Sequence, residues 1–185
     1  MFAASLPAGA AEAPLRVEGL LFERRIRLGG SELLLNGTGI RAVAWFKGYV
    51  AALYLSARAS TPAGVLATPG PKRLRMHMLH GVATVEFVNA FRKGVSRNAA
   101  ADELPRLAER MERFAAQVSA LGNVDKGDIV DLDFEPGRGL TFIVNGKIQG
   151  DAIAGEDFYA ALLRAFVGDK PYDKKLKAGL LGLAV

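Results

Sequence analysis

The sequence predicts a single α+β domain with a largely antiparallel sheet, because strand-like alternation clusters early and returns late while helix-spaced apolar residues lie between. Size and composition support one domain. A chain of 185 residues, 50% hydrophobic and 23% charged, has an ordinary core. It buries roughly 70% of its extended surface and needs no disulfide or metal to fold. The absence of cysteine excludes a disulfide scaffold, a thiolate zinc site and a cysteine nucleophile.

The first thirteen residues, MFAASLPAGAAEA, are small and apolar apart from Glu12, with A-x-A spacings at Ala8-Gly9-Ala10 and Ala11-Glu12-Ala13. They read as the end of a secretory signal peptide cleaved near Ala11 or Pro14, although the basic n-region is missing. Export to the periplasm or beyond is the expectation, with a disordered N-terminus as the alternative. The folded domain is expected over residues 14–185.

From Val17 to Leu55 the chain reads as strands, with a turn at Gly29-Gly30-Ser31, a short apolar run from Glu32 to Leu35 and a break at Gly37-Thr38-Gly39. In the run from Lys47 to Leu55, Tyr49, Ala51, Leu53 and Leu55 share one face and Val50, Ala52 and Tyr54 the other. Both faces are apolar, so this strand is expected to be covered by helices on one side and by further sheet, or a ligand, on the other. Ser60 to Gly70 holds a short helix, and Lys72 to Leu79 a further strand. The period then changes. Val85, Val88, Phe91 and Val95 recur at helical spacing, as do Leu104, Leu107, Met111, Phe114, Val118 and Leu121. Pro105 is tolerated in the first turn of the second helix. Two strands, Asp128 to Phe134 and Leu140 to Val144, are joined by Pro136-Gly137-Arg138-Gly139, and Asn145-Gly146 is a type I′ hairpin signal into a third at Lys147. Gly155-Glu156-Asp157 opens a helix with Phe158, Tyr159, Leu162, Leu163, Phe166 and Val167 on one broad stripe, Asp157 serving as cap or first-turn acid. A last helix runs from about Asp173 to Leu181.

Twenty-four Lys and Arg against 19 Asp and Glu give a net charge of +5. The basic residues are interleaved with acids, as in Glu109-Arg110 and Glu112-Arg113, and no basic run carries stacking aromatics, so nucleic acid is not the expected partner. Only Asp169 to Lys177, with four lysines, is locally basic. No apolar run reaches the roughly 18 residues of a membrane span.

His77 and His80, three positions apart on one strand, point to opposite faces and do not share a metal. Asp131 and Asp133 share a strand face, where paired carboxylates can do acid/base work or bind a hard cation, but alternation with Ile129, Val130, Leu132 and Phe134 favours a solvent-facing acidic row. There is no G-x-S-x-G, and Gly37-x-Gly39 lacks the remainder of a phosphate loop. Arg41 and Tyr49 stand out. An arginine set by glycines among Ile40, Ala42, Val43, Ala44, Trp45 and Phe46 needs a partner if buried. Its planar fork suits a carboxylate or an enolate-like oxygen, to which a tyrosine adds a hydrogen bond. The plainer alternative is that Arg41 pairs with a protein carboxylate or snorkels to solvent.

The segment Leu35-Asn36-Gly37-Thr38-Gly39-Ile40-Arg41, followed by Phe46-Lys47-Gly48-Tyr49-Val50-Ala51-Ala52-Leu53-Tyr54-Leu55, resembles the signature of the chalcone isomerase-like family, especially its bacterial branch. The likeness continues through Pro71 to Met76, Lys126-Gly127-Asp128, Val144 to Lys147, Gly155 to Leu163 and Gly168-Asp169-Lys170-Pro171. It implies an open-faced β-sandwich, with a large antiparallel sheet backed by helices and a ligand cleft between them. In the plant enzymes of this family the arginine matched by Arg41 helps stabilise the enolate formed as a chalcone is cyclised. Non-catalytic relatives bind fatty acids with the same arginine and a tyrosine, for which Tyr49 is the candidate. Where the plant enzymes carry a tyrosine and an asparagine this chain has its Thr84 to Gly94 helix, without a phenol. Ala165-Phe166 replaces their threonine-methionine or serine-methionine pair.

Three readings follow. The first is a non-catalytic binder of a fatty acid or similar apolar carboxylate through Arg41 and Tyr49. The second is an intramolecular lyase, an isomerase acting on an α,β-unsaturated ketone, with Arg41 as its catalytic residue. The third is a structural or interaction protein whose cleft is filled by Trp45, Phe46 and Phe166. No cofactor is implied by any of them.

Overall fold

The computed structural model describes residues 12–43 and 46–183, so most of the expected signal remnant, and Trp45, lie outside the described residues. The chain opens with a small hairpin of β1 (Leu15–Val17) and β2 (Leu20–Phe22). Next come β3 (Arg25–Leu28) and β4 (Ser31–Val43), which turn at Gly29 and Gly30, both at positive φ. Then follow β5 (Phe46–Leu55), α1 (Pro62–Ala67), β6 (Lys72–Met78) and β7 (Val82–Ala83). Two longer helices, α2 (Thr84–Asn98) and α3 (Glu103–Ser119), lead to β8 (Asn123–Val124), β9 (Ile129–Glu135) and β10 (Gly139–Val144). The expected Asn145-Gly146 turn, with φ of 50° and 78°, delivers β11 (Lys147–Ile148). The chain closes with α4 (Glu156–Val167) and α5 (Lys174–Leu180).

Seven strands form one antiparallel sheet in the order β11-β10-β9-β6-β5-β4-β3. Its two faces carry separate cores, as the doubly apolar β5 requires. Ala51, Leu53 and Leu55 pack with Leu74 and Met76 beneath Phe91 of α2, Phe114 of α3 and Phe158 of α4. Phe91 and Phe114 meet edge to face at 4.9 Å. On the other face Val50, Ala52 and Tyr54 pack with Leu33, Leu35 and Phe22, so the β1–β2 hairpin is the further sheet that covers this side. A large sheet, helices on one face and a small hairpin on the other make the open-faced sandwich.

Three expectations fail. Gly37-Thr38-Gly39 does not break the strand, because β4 runs through it and the glycines admit another element. A Cβ on Gly39 would stand 2.6 Å from the Leu176 carbonyl oxygen, and one on Gly37 would overlap that of Gly179, so α5 lies directly on the β4 backbone. Just before them the strand bulges, and the buried Asn36 amide donates to the carbonyls of Ala59 (2.9 Å) and Leu180 (2.7 Å). Asp131 and Asp133 are not solvent-facing: they are 4% and 2% exposed. Arg75 grips Asp131 through two bonds of 2.7 and 2.8 Å, and Arg73 grips Asp133 through two of 2.6 Å. Alternation marks a polar face correctly, but cross-strand register supplies the partners that bury it. Finally, Val85, in the first turn of α2, is 57% exposed, although it shares the helical spacing of the buried Val88, Phe91 and Val95.

Candidate functional site

Residues two apart on a strand share a face, so Gly37, Gly39 and Arg41 form one row directed at the helices. The glycines seat α5, which starts only at Lys174. Arg41 thus emerges where the helix begins, beside the residues that lead into it. Its Nη1 donates to the Tyr172 carbonyl at 3.1 Å and to Asp173 Oδ2 at 3.4 Å. Asp173 divides its carboxylate, since Oδ1 caps α5 by accepting from the amides of Lys175 (2.8 Å) and Leu176 (3.1 Å). Among the described residues only Nη1 of Arg41 has partners. The Arg41 side chain is 30% exposed.

Tyr49 is the cross-strand partner of Arg41 in the β4–β5 ladder, so both side chains stand on the helix side of the sheet. Burial pushes its phenol well above the ordinary tyrosine range, an effect that Arg41 opposes and Asp173 reinforces. The phenol is therefore a neutral donor at physiological pH. A second phenol, Tyr172, completes the group. Burial raises it too, with nearby Tyr49 adding to the shift and Arg41 opposing it. Its ring meets Phe166 edge-on at 4.9 Å. The absence of a side chain at Gly94 makes room for it, because a Cβ there would lie 2.6 Å from the Tyr172 hydroxyl. Glycine inside a helix costs about 1 kcal/mol relative to alanine, so this position serves packing rather than helix stability.

These groups line a cleft of about 520 Å³ between the sheet and α2. Such a volume falls within the range of small-molecule sites. Phe46 and Gly48 of β5, Val82 and Ala83 of β7, Glu86, Phe87 and Ala90 of α2, and Phe166 of α4 form the remaining walls. The cleft is open, and Phe46, 39% exposed, sits at its rim against the His80 ring rather than plugging it. Arg41 and Tyr49 are thus brought together at one cleft. Sequence reasoning missed Tyr172, Glu86 and Phe87. The only trace of Tyr172 was an aromatic between Pro171 and the cap residue Asp173, and a neighbour of a cap need not reach a cleft.

The plainer expectation for Arg41 is also met in part, since Asp173 is a protein carboxylate. The contact is long and single-pronged, unlike the two-pronged pairs of Arg73 and Arg75. His77 and His80 do not converge: His80 Nδ1 lies 2.7 Å from the Lys47 carbonyl, and burial, followed by Arg75, lowers the His77 pKa. Among the described residues no group of three acids or histidines is placed to hold a metal ion, and no helix is long and apolar enough to cross a membrane.

No curated protein sequence matches this chain. Among solved structures, a crystal structure of a fatty-acid binding protein of Arabidopsis thaliana is similar, with a TM-score of 0.64 at 17% identity. The likeness covers 88% of this chain and 92% of that one, and establishes the shared fold. A chalcone isomerase-like family model matches residues 14–182, so the chain belongs to the chalcone isomerase-like family.

Proposed function

We propose that this protein binds a fatty acid or similar apolar carboxylate without transforming it, with the head group on Arg41 and the chain in the cleft. The observation that carries the reading is a guanidinium only partly engaged, at the end of a largely apolar cleft of about 520 Å³. The bonds to Tyr172 and Asp173 orient the fork, and the remaining N–H groups suit a carboxylate. Tyr49, kept neutral by burial, donates the second bond. The fatty-acid binding described for the Arabidopsis structure supports the same ligand class.

Titration with a fatty acid and its methyl ester tests this reading. Acids are expected to bind better than esters. Arg41→Ala should weaken acid binding by roughly 2 to 5 kcal/mol if the ion pair is desolvated, and Arg41→Lys by less. Tyr49→Phe removes one hydrogen bond to a charged group and should cost about 1.5 to 3 kcal/mol. Equal binding of acid and ester, or an Arg41→Ala variant of unchanged affinity, overturns the reading.

A second reading, an intramolecular lyase, draws support from Tyr172. The α2 helix brings no phenol to the cleft, but Tyr172 and Tyr49 place two near Arg41. A guanidinium and neutral phenols are suitable partners for a developing enolate. Cyclisation of a chalcone that is lost in Arg41→Ala and reduced in Tyr172→Phe would favour this reading over passive binding.

A further inference from the structure

We infer that the ligand's chain passes between Tyr49 and Phe87 into a second, smaller apolar chamber, and that this chamber fixes the preferred chain length. The inference rests on the carboxylate reading above and adds to it a length-determining residue, Phe87.

The chamber lies deeper between sheet and helices, with a volume of about 50 Å³, and its walls are almost wholly apolar. Met76 and Met78 of β6, Val118 of α3, Val130 of β9 and Phe142 of β10 form it. Tyr49, Val82 and Phe87 belong to both the chamber and the cleft, so these three side chains are the partition between them. Interiors are normally packed as tightly as organic crystals, and a void among apolar side chains stays dry because water finds no partners there. A small apolar void one side chain away from an open cleft is suited to hydrocarbon. The two methionines add compliance, since an unbranched thioether chain repacks around whatever enters.

Register gives the distance. Arg41 is on β4, Tyr49 beside it on β5, Met76 and Met78 on β6, and Met76 pairs with Val130 on β9. Three strand spacings of about 4.8 Å put the chamber roughly 14 Å from the arginine's strand. An extended alkyl chain advances about 1.25 Å per carbon, given C–C bonds of about 1.5 Å at tetrahedral angles. About ten to twelve carbons therefore span head group to chamber, and the small room left beside Phe87 stops a longer chain.

Calorimetric titration with saturated acids of eight to sixteen carbons tests the chamber in the intact protein. Affinity is expected to rise about fourfold per methylene to near twelve carbons and then level off. Phe87→Ala should move that plateau to longer chains by two carbons or more, and Val118→Leu, which fills the chamber, should move it to shorter ones. Thermal melting checks that each variant is folded. Should the core position Val118 not tolerate leucine, Phe87→Ala, at the partition rather than in the packed core, decides alone. Acids preferred over esters with a plateau that Phe87→Ala leaves in place overturns the chamber and spares the carboxylate reading. Acids and esters bound alike by the native protein overturn both.

Discussion

Asp173 faces the same arginine that is proposed to hold the ligand, so removing its charge should strengthen binding rather than weaken it. Asp173 Oδ2 stands 3.4 Å from Arg41 Nη1, an attraction of about 5 kcal/mol at an effective dielectric of 20 and less at this partly exposed site. A ligand carboxylate on the other edge of the guanidinium would sit roughly 5 Å from Oδ2, where like charges repel by about 1 to 3 kcal/mol for effective dielectrics between 80 and 20. Asp173→Asn removes that repulsion and keeps the cap, because an asparagine oxygen accepts from the amides of Lys175 and Leu176 as the aspartate does. Acid affinity should rise about 5- to 150-fold, and ester affinity should stay level. Calorimetric titration of decanoate and methyl decanoate, with thermal melts to confirm the fold, reads both quantities. An Asp173→Asn variant that melts normally yet binds decanoate no better would refute the reasoning. Asp173 would then be needed to orient Arg41 more than it competes for it.

Other consequences concern the frame that presents the site. Gly39→Ala forces a methyl group to within 3.0 Å of Leu176 Cα and closer still to its carbonyl oxygen. It should cost about 1 to 3 kcal/mol, or roughly 2 to 4 °C of melting temperature per kcal/mol at this chain length, and acid binding should fall as Tyr172 and Asp173 move. An unchanged melt would show that α5 is not seated on β4. In the buried ladder, Asp133→Ala leaves the Arg73 guanidinium only its 3.8 Å contact with Asp131 and should cost about 3 to 5 kcal/mol, whereas Asp133→Leu with Arg73→Met should recover most of the loss. Denaturant unfolding measures both, and a single-variant cost below about 1 kcal/mol would mean that the pair is effectively solvated.

Much of the fold is written locally. Period-two and period-3.6 apolar spacing located the strands and helices, and turn chemistry at Gly29-Gly30 and Asn145-Gly146 fixed two hairpins, because each depends on residues a few positions apart. The doubly apolar faces of β5 announced cover on both sides for the same reason. Arg41 and Tyr49 were also legible, as polar groups standing out of an apolar pattern.

Tertiary structure decided what lies opposite each residue. The glycines of β4 look like a strand break until α5, more than 130 residues later, is seen to rest on them. Asp131 and Asp133 follow the alternation of a solvated face, yet cross-strand arginines bury them, because a charge can be interior once two parallel hydrogen bonds replace its water. Tyr172 reaches the cleft only because α5 begins beside Arg41 and Gly94 leaves space for a ring. The sequence by itself determined the main elements and the arginine, which rest on local periodicity, and pointed to the family through the order and spacing of its motifs. The cleft, its second phenol, its acidic neighbour and the chamber behind it came from the packing of distant segments, since a cavity is defined by surfaces that meet only when the chain has folded.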